Sequence, residues 1–212
     1  SAEALTRSYF DSWAYDGDGT PGPIALPGAP SALPDRQVLL FDKPIATQSK
    51  VRLTCQIKKE NELDRAQASV IGEALTFLAF ERLREEKGIT YGAYASPYMY
   101  DGDAGQLAIA SVIQNSGVAF GVQTMFDLVS EARNSELSDD FIATNKWNVA
   151  RTMVTSQQSG DQMLSTLLGP GRNNIAYYEQ YPRSLSTVSA ASIADMMEPC
   201  EGHEIVTVVG PV

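Results

Sequence analysis

Residues 89–114, ITYGAYASPYMYDGDAGQLAIASVIQ, decide the fold because they contain two β-prone runs separated by a tight turn. The runs at 89–100 and 106–114 are rich in aromatic, β-branched and other apolar residues, which favour strands. Residues 101–105, DGDAG, are of the types that turns require. The stretch is therefore predicted to be an antiparallel hairpin.

Two strands and a long helix are predicted before this hairpin. Residues 38–41 and 49–58 are typical of strands, and the second run alternates apolar and polar residues as a strand with one covered face does. Residues 62–86 carry apolar side chains at helical spacing. Gly88 lies just beyond them, where a glycine commonly ends a helix.

Four helices and a strand are predicted after the hairpin. The helices cover 118–133, 137 to about 156, 160–168 and 190–197, with an irregular segment at 177–182, and the strand covers 204–209. Asp139 and Asp140 begin the second of these helices, so capping and the helix dipole explain them without a catalytic role. The order ββαββααααβ predicts an α+β fold in which an antiparallel sheet has helices packed on one face.

The first 35 residues differ in composition from the rest. Residues 3–13 are typical of a short helix, and the prolines and glycines that follow are typical of a semi-rigid linker. Residues 1–35 are interpreted as the tail of a preceding domain with its linker, and residues 36–212 as the α+β domain. The abrupt start at Ser1 suggests a fragment of a longer protein.

Composition excludes several classes of function. A net charge of −10 repels phosphate backbones, so nucleic acid is not an expected partner. No apolar run is long enough for a membrane span. His203 is the single histidine and Cys55 and Cys200 are the only cysteines, so this chain is expected to bind no zinc. Both cysteines are predicted to be reduced, since Cys55 lies on an apolar strand face.

Residues 83–92, LREEKGITYG, end the long helix and begin the next strand. This segment closely resembles the arginine-to-tyrosine segment of the pitrilysin/insulinase metallopeptidases, in which the two residues are seven apart. Three flanking segments are similar to the same family: YFDSW at 9–13, KPIATQS at 43–49 and VTVVGP at 206–211.

The resemblance implies a division of labour between two halves. Enzymes of this family bind zinc on an inverted H-x-x-E-H helix, which this chain lacks. Zinc is therefore expected in the partner half only, and the partners would be the zinc-bearing N-terminal half or subunit and a peptide substrate. The chain would be the substrate-binding and transition-state-stabilising half of a zinc endopeptidase, inactive alone. A periplasmic location is favoured over a cytoplasmic one.

By residue-for-residue match, the catalytic pair implied is Arg84 and Tyr91. The phenol of Tyr91 could stabilise negative charge on the attacked peptide carbonyl, and Arg84 could orient the substrate. Without the match, an arginine near a helix end is usually solvated and a strand tyrosine usually belongs to the core or rim. Tyr91 has the same strand parity as Ile89 and Ala93.

Three tyrosines alternate along one face of the same strand. Tyr94, Tyr98 and Tyr100 suit either a solvent-facing ladder or a wall that contacts peptide, and the wall is favoured, with Tyr94 and Tyr98 as substrate-binding residues. Two other functions stay open: a catalytically inactive structural homologue, as in the core of respiratory complexes, and a peptide-binding module. The joint presence of Arg84 and Tyr91 favours the peptidase.

Overall fold

The computed structural model describes residues 2–12, 34–60, 64–100, 105–156, 158–161, 164 and 175–211. Helix α1 spans Ala2–Phe10, where a short helix was expected. The linker predicted after it lies outside the described residues, as does most of the helix predicted at 160–168. The domain boundary near residue 35 therefore stays a prediction.

A five-stranded sheet forms the centre of the fold. Its strands are β1 (Gln37–Asp42), β2 (Gln48–Ile57), β3 (Thr90–Met99), β4 (Gly105–Gln114) and β5 (Ile205–Gly210). They lie in the order β1-β5-β2-β4-β3, and every neighbouring pair is antiparallel except β1 and β5, which are parallel. The α+β fold and the hairpin are confirmed, with one parallel pair at the edge of a sheet that was predicted as antiparallel.

The helices described after β2 cover one face of this sheet. They are α2 (Asp64–Phe80), α3 (Val118–Arg133), α4 (Asp139–Ser156), α5 (Ile175–Thr187) and α6 (Ala190–Met197). Helix α2 lies against β3, α3 and α6 contact β2, and α4 and α5 pack on α2. The predicted packing of helices on one face is confirmed, and we call the side that none of these helices covers the open face.

The core lies between the sheet and its helices. Along β2 the buried and less buried residues alternate, so that Val51, Leu53 and Ile57 point inward. On β4, Leu107 and Ile109 do the same, and helix α2 contributes apolar side chains to the same cluster. The period-two pattern read from residues 49–58 is thus the pattern of burial.

The prediction that both cysteines are reduced is wrong. Cys55 and Cys200 form a disulfide, with their Cα atoms 5.0 Å apart. Cys200 ends the 3₁₀ turn Glu198–Cys200, which follows α6 and packs under β2. That packing brings the two residues within the separation that a disulfide requires, although 145 positions separate them in sequence.

The prediction that residues 177–182 are irregular is also wrong. It belongs to α5, and Pro182 lies inside that helix. Tyr181 and Leu185 are buried four residues apart on one face of this helix, and Val188, just after its end, is buried as well. The burial of this face accounts for a helix that continues past a proline, which removes one backbone donor.

Candidate functional site

Arg84 is placed by the way in which the long helix ends. After α2, residues Glu81–Glu86 form a π-helical turn, a feature often found at functional sites. Gly88 adopts a left-handed φ of 62°, which only glycine reaches without strain. The amide of Gly88 donates to the Arg84 carbonyl and that of Ile89 donates to the Leu83 carbonyl. Each bond spans one residue more than in a Schellman motif, as expected where a π-helical turn rather than an α-helix ends at a left-handed glycine.

Two residues that precede Arg84 anchor the π-helical turn. Leu83 is fully buried in the core. Arg82 forms a two-pronged ion pair with Glu131 on α3, at 2.7 and 2.8 Å, and this hydrogen bonding raises the pKa of Arg82. Because these two residues are held, the backbone of Arg84 has a defined position beside the start of β3.

A β-bulge at the start of β3 sets the direction of Tyr91. Thr90 pairs with Ile113 and Ala93 pairs with Ser111, so Tyr91 and Gly92 together stand opposite a single residue. Ala93 is fully buried whereas Tyr91 is 83% exposed. The shared parity predicted for these two residues is therefore wrong, because the extra residue turns Tyr91 away from the core.

Two buried hydroxyl groups satisfy the backbone of this bulge. The amide of Gly92 donates to Thr90 Oγ1 at 3.1 Å, and Thr90 Oγ1 lies 2.7 Å from the carbonyl oxygen of Val112. The hydroxyl of Ser111 lies 2.8 Å from the carbonyl oxygen of Gly92 and 2.9 Å from Thr90 Oγ1. Backbone groups that the bulge removes from the ladder thus regain partners.

The structure brings Arg84 and Tyr91 into contact and places Tyr94 beside Gly92, the residue that follows Tyr91. The guanidinium carbon of Arg84 lies 5.3 Å from the centre of the Tyr91 ring, and Arg84 Nη1 lies 3.4 Å from the Thr90 carbonyl oxygen. The hydroxyl of Tyr94 lies 3.0 Å from where a Cβ of Gly92 would be, so it occupies space that only glycine leaves. Arg84, Tyr91 and Tyr94 form what we call the Arg–Tyr cluster.

Tyr98 lies apart from this cluster. It is on the same strand face as Tyr94 but four residues further on, or about 13 Å along an extended strand. Its ring stacks on that of Tyr100, with the centroids 6.5 Å apart. The predicted alternation of Tyr94, Tyr98 and Tyr100 on one exposed face is confirmed.

The sequence reading missed the residues that position the cluster. Thr90, Gly92 and Ser111 set the bulge and make room for Tyr94, yet none belongs to a motif that could be recognised alone. The one usable signal is Gly92 inside a strand-like run, since an isolated glycine there often marks a bulge.

The described residues contain no group of three or more metal-binding side chains in a suitable arrangement. His203 instead places its Nδ1 2.8 Å from the carbonyl oxygen of Pro34.

Among the helices that the structure describes, none combines the length and apolar character needed to cross a membrane. A cleft of about 550 Å³ between α2, α5 and α6 lies on the helical side of the sheet, away from the Arg–Tyr cluster.

The sequence matches the family described as Peptidase M16 inactive domain over residues 1–149. The chain therefore belongs to this family, and it is an inactive-type domain of a peptidase-like protein. This agrees with the resemblance to pitrilysin/insulinase metallopeptidases. No curated protein matches the sequence.

Solved structures share the fold at low sequence identity. The peptidase M16 inactive domain from Pseudomonas fluorescens has a TM-score of 0.72 and 18% identity, covering 91% of this chain and 48% of its own. A protease from Helicobacter pylori has a TM-score of 0.76 and 12% identity, and the match covers 99% of this chain and 52% of that protein. The periplasmic protease PqqL from Escherichia coli has a TM-score of 0.65 and 14% identity, and the match covers 100% of this chain and 24% of that protein. The chain thus spans about half the length of the first two structures.

Proposed function

We propose that this chain is the substrate-binding and transition-state-stabilising half of a zinc endopeptidase, and that it works with a separate half that carries H-x-x-E-H. One observation carries the proposal: Arg84 and Tyr91 lie in contact at the start of β3, with Tyr91 turned outward by a bulge. A tyrosine that served only the fold would not need this outward orientation.

The chemistry of the pair suits peptide hydrolysis. When a nucleophile adds to a peptide carbonyl, negative charge develops on the oxygen, and a phenol donor placed there stabilises the charge. Tyr91 is exposed, and none of the described residues accepts a hydrogen bond from its hydroxyl, so that donor is available. Arg84 would hold a substrate carbonyl or carboxylate through its fork of N–H donors.

Zinc does not fit the residues of this chain. The described part holds no suitable cluster, and one histidine cannot supply the usual three protein ligands. The metal would therefore belong to the partner half, either within the same polypeptide or as a separate subunit. Residues 1–35 would contain the tail of a preceding domain and the linker to it.

Tyr94 and Tyr98 would contact the peptide beside the catalytic pair. They project from the open face of the sheet, and Tyr94 already lies next to Gly92. Tyrosine suits this role because it offers a large, rigid apolar ring and a polar tip. A peptide held here would run parallel to β3, beside Tyr94 and Tyr98, toward Tyr91.

A periplasmic location fits the structure. The buried disulfide between Cys55 and Cys200 is typical of proteins that fold in an oxidising compartment. The periplasmic protease PqqL shares this fold. Cell fractionation followed by mass spectrometry of the two cysteines without reductant would test both points together.

The function is tested by Tyr91→Phe in the full-length protein or in the two-half mixture. The change removes the phenol donor and keeps the ring, so turnover of a quenched fluorescent peptide should fall about 100- to 1,000-fold. KM should change little. Normal turnover in Tyr91→Phe would show that the residue has no catalytic role and would favour the inactive structural homologue.

Arg84→Ala should have a different kinetic signature. Since the guanidinium would hold the substrate before and during the reaction, both KM and turnover should worsen, by about 10-fold or more in kcat/KM. Arg151→Gln is the matched control, because Arg151 is an exposed cation on α4, on the helical side of the sheet. Equal losses in Arg84→Ala and Arg151→Gln would contradict a role for Arg84.

A further inference from the structure

The four strands β2, β3, β4 and β5 contain no Asp or Glu, although the chain has 26 acidic residues. Their only charged residues are Lys50 and Arg52, both on β2 and both exposed. The open face of these strands is therefore positively charged within a protein whose net charge is −10. Such separation of charge favours a partner that carries the opposite sign.

Lys50 and Arg52 also differ from other cations of the fold in lacking a protein partner. Arg36, Lys58 and Arg82 each form an ion pair with a carboxylate. Neither Lys50 nor Arg52 has an ion pair or hydrogen bond through its side chain to any of the described residues. Their charges remain available to a ligand.

The strand register places these cations across a shallow trough from the Arg–Tyr cluster. In one row across the sheet, Tyr94 pairs with Ala110, and Ala110 pairs with Arg52. Neighbouring strands are about 4.8 Å apart, so Tyr94 and Arg52 stand roughly 10 Å apart, with the small side chain of Ala110 between them. That width suits one extended peptide lying along β4.

The spacing of the two cations suits the same ligand. Lys50 and Arg52 are two residues apart on one strand face, or about 7 Å. Alternate side chains of an extended peptide have the same separation and point to the same side. Carboxylates at alternate positions of such a peptide could therefore reach both cations.

We propose that the open face selects peptides with acidic side chains, which bind Lys50 and Arg52 while the peptide lies in the trough beside Tyr94. This inference rests on the proposed function, because it names the class of substrate for that site. It predicts a preference that depends on Lys50 and Arg52, beyond the contacts that Arg84 and Tyr91 would make with the scissile region of any peptide.

The test uses two peptides of identical sequence except for Glu or Gln at alternate positions on one side of the cleavage site. In the full-length protein or two-half mixture, the Glu peptide should have a KM about 2- to 30-fold lower, the range expected for two exposed ion pairs. The preference should shrink as salt rises from about 0.05 to 0.5 M. The double variant Lys50→Gln/Arg52→Gln should lose it, whereas Arg151→Gln should keep it.

The outcomes separate this inference from the proposed function. Equal KM values for the two peptides, or a preference that survives in Lys50→Gln/Arg52→Gln, would overturn the acidic selectivity and leave the peptidase intact. Fluorescence anisotropy of both labelled peptides with the chain covers the case in which nothing is cleaved. Tighter binding of the Glu peptide, lost in the double variant, would then support the selectivity while the proposed peptidase fails. Equal binding would overturn the selectivity as well.

Discussion

The two faces of the sheet are built from the same strands but have opposite properties. On the inner face, Leu53, Leu107 and Ile109 are fully buried and the Cys55–Cys200 disulfide joins β2 to the turn after α6. On the open face, Tyr91 and Tyr94 are exposed. The inner face therefore carries the stability of the fold, while the open face leaves its side chains exposed. At the start of β3 the bulge turns Tyr91 to the open face between the buried residues Thr90 and Ala93.

The largest expected effect belongs to the inner face. The disulfide closes a loop of 145 residues, so replacing Cys55 and Cys200 with alanine should lower the free energy of unfolding by about 5 kcal/mol in the chain-entropy estimate. Urea denaturation of the oxidised chain and of the Cys55→Ala/Cys200→Ala variant would measure it.

Reduction provides the control for this experiment. Reductant should destabilise the wild-type chain and leave the double alanine variant unchanged, because the variant has no disulfide to break. Coincident urea transitions for oxidised and reduced wild-type chain would show that the inner face does not depend on the bridge.

A smaller effect is expected at the bulge, where the two faces meet. Thr90→Val keeps the shape of the side chain but removes the hydroxyl that binds Gly92 and Val112, so it should cost about 1–3 kcal/mol of stability. Because Tyr91 follows directly, peptide turnover should fall as well. Thermal denaturation and the peptide assay would measure the two effects.

Thr207→Val is the matched control for the bulge. Thr207 is on β5 and points to the open face, and its hydroxyl binds no described residue. Its replacement should change stability by less than about 0.5 kcal/mol and leave turnover as it was. Equal losses in the two valine variants would mean that the hydroxyl of Thr90 does not hold the bulge.

Features that depend on neighbouring residues were predictable from the sequence. Gly88 ends the helix and residues 89–114 form a hairpin, since both follow from local backbone preferences. The family resemblance singled out Arg84 and Tyr91, and the structure places these two side chains in contact. Their roles stay predictions.

Features that depend on distant residues were not predictable. The outward turn of Tyr91 requires Ser111 on the adjacent strand, and a strict period of two assigns the opposite face. The disulfide requires α6 to pack under β2. Pro182 suggested an irregular segment, but burial of Tyr181 and Leu185 against the core outweighs the lost donor.

The smallest expected effect gives the sharpest contrast between the faces. Tyr91→Phe should leave the melting temperature within a few degrees and the free energy of unfolding within about 0.5 kcal/mol, because the ring is 83% exposed and the lost hydroxyl binds no described residue. Thermal denaturation of Tyr91→Phe and of Thr90→Val would compare two adjacent residues of the bulge, one exposed on the open face and the other buried. A destabilisation of Tyr91→Phe as large as that of Thr90→Val would mean that Tyr91 serves the fold, and any loss of turnover could no longer be assigned to a missing phenol donor. An unchanged transition together with a large loss of turnover would instead place the effect in the chemistry of the open face.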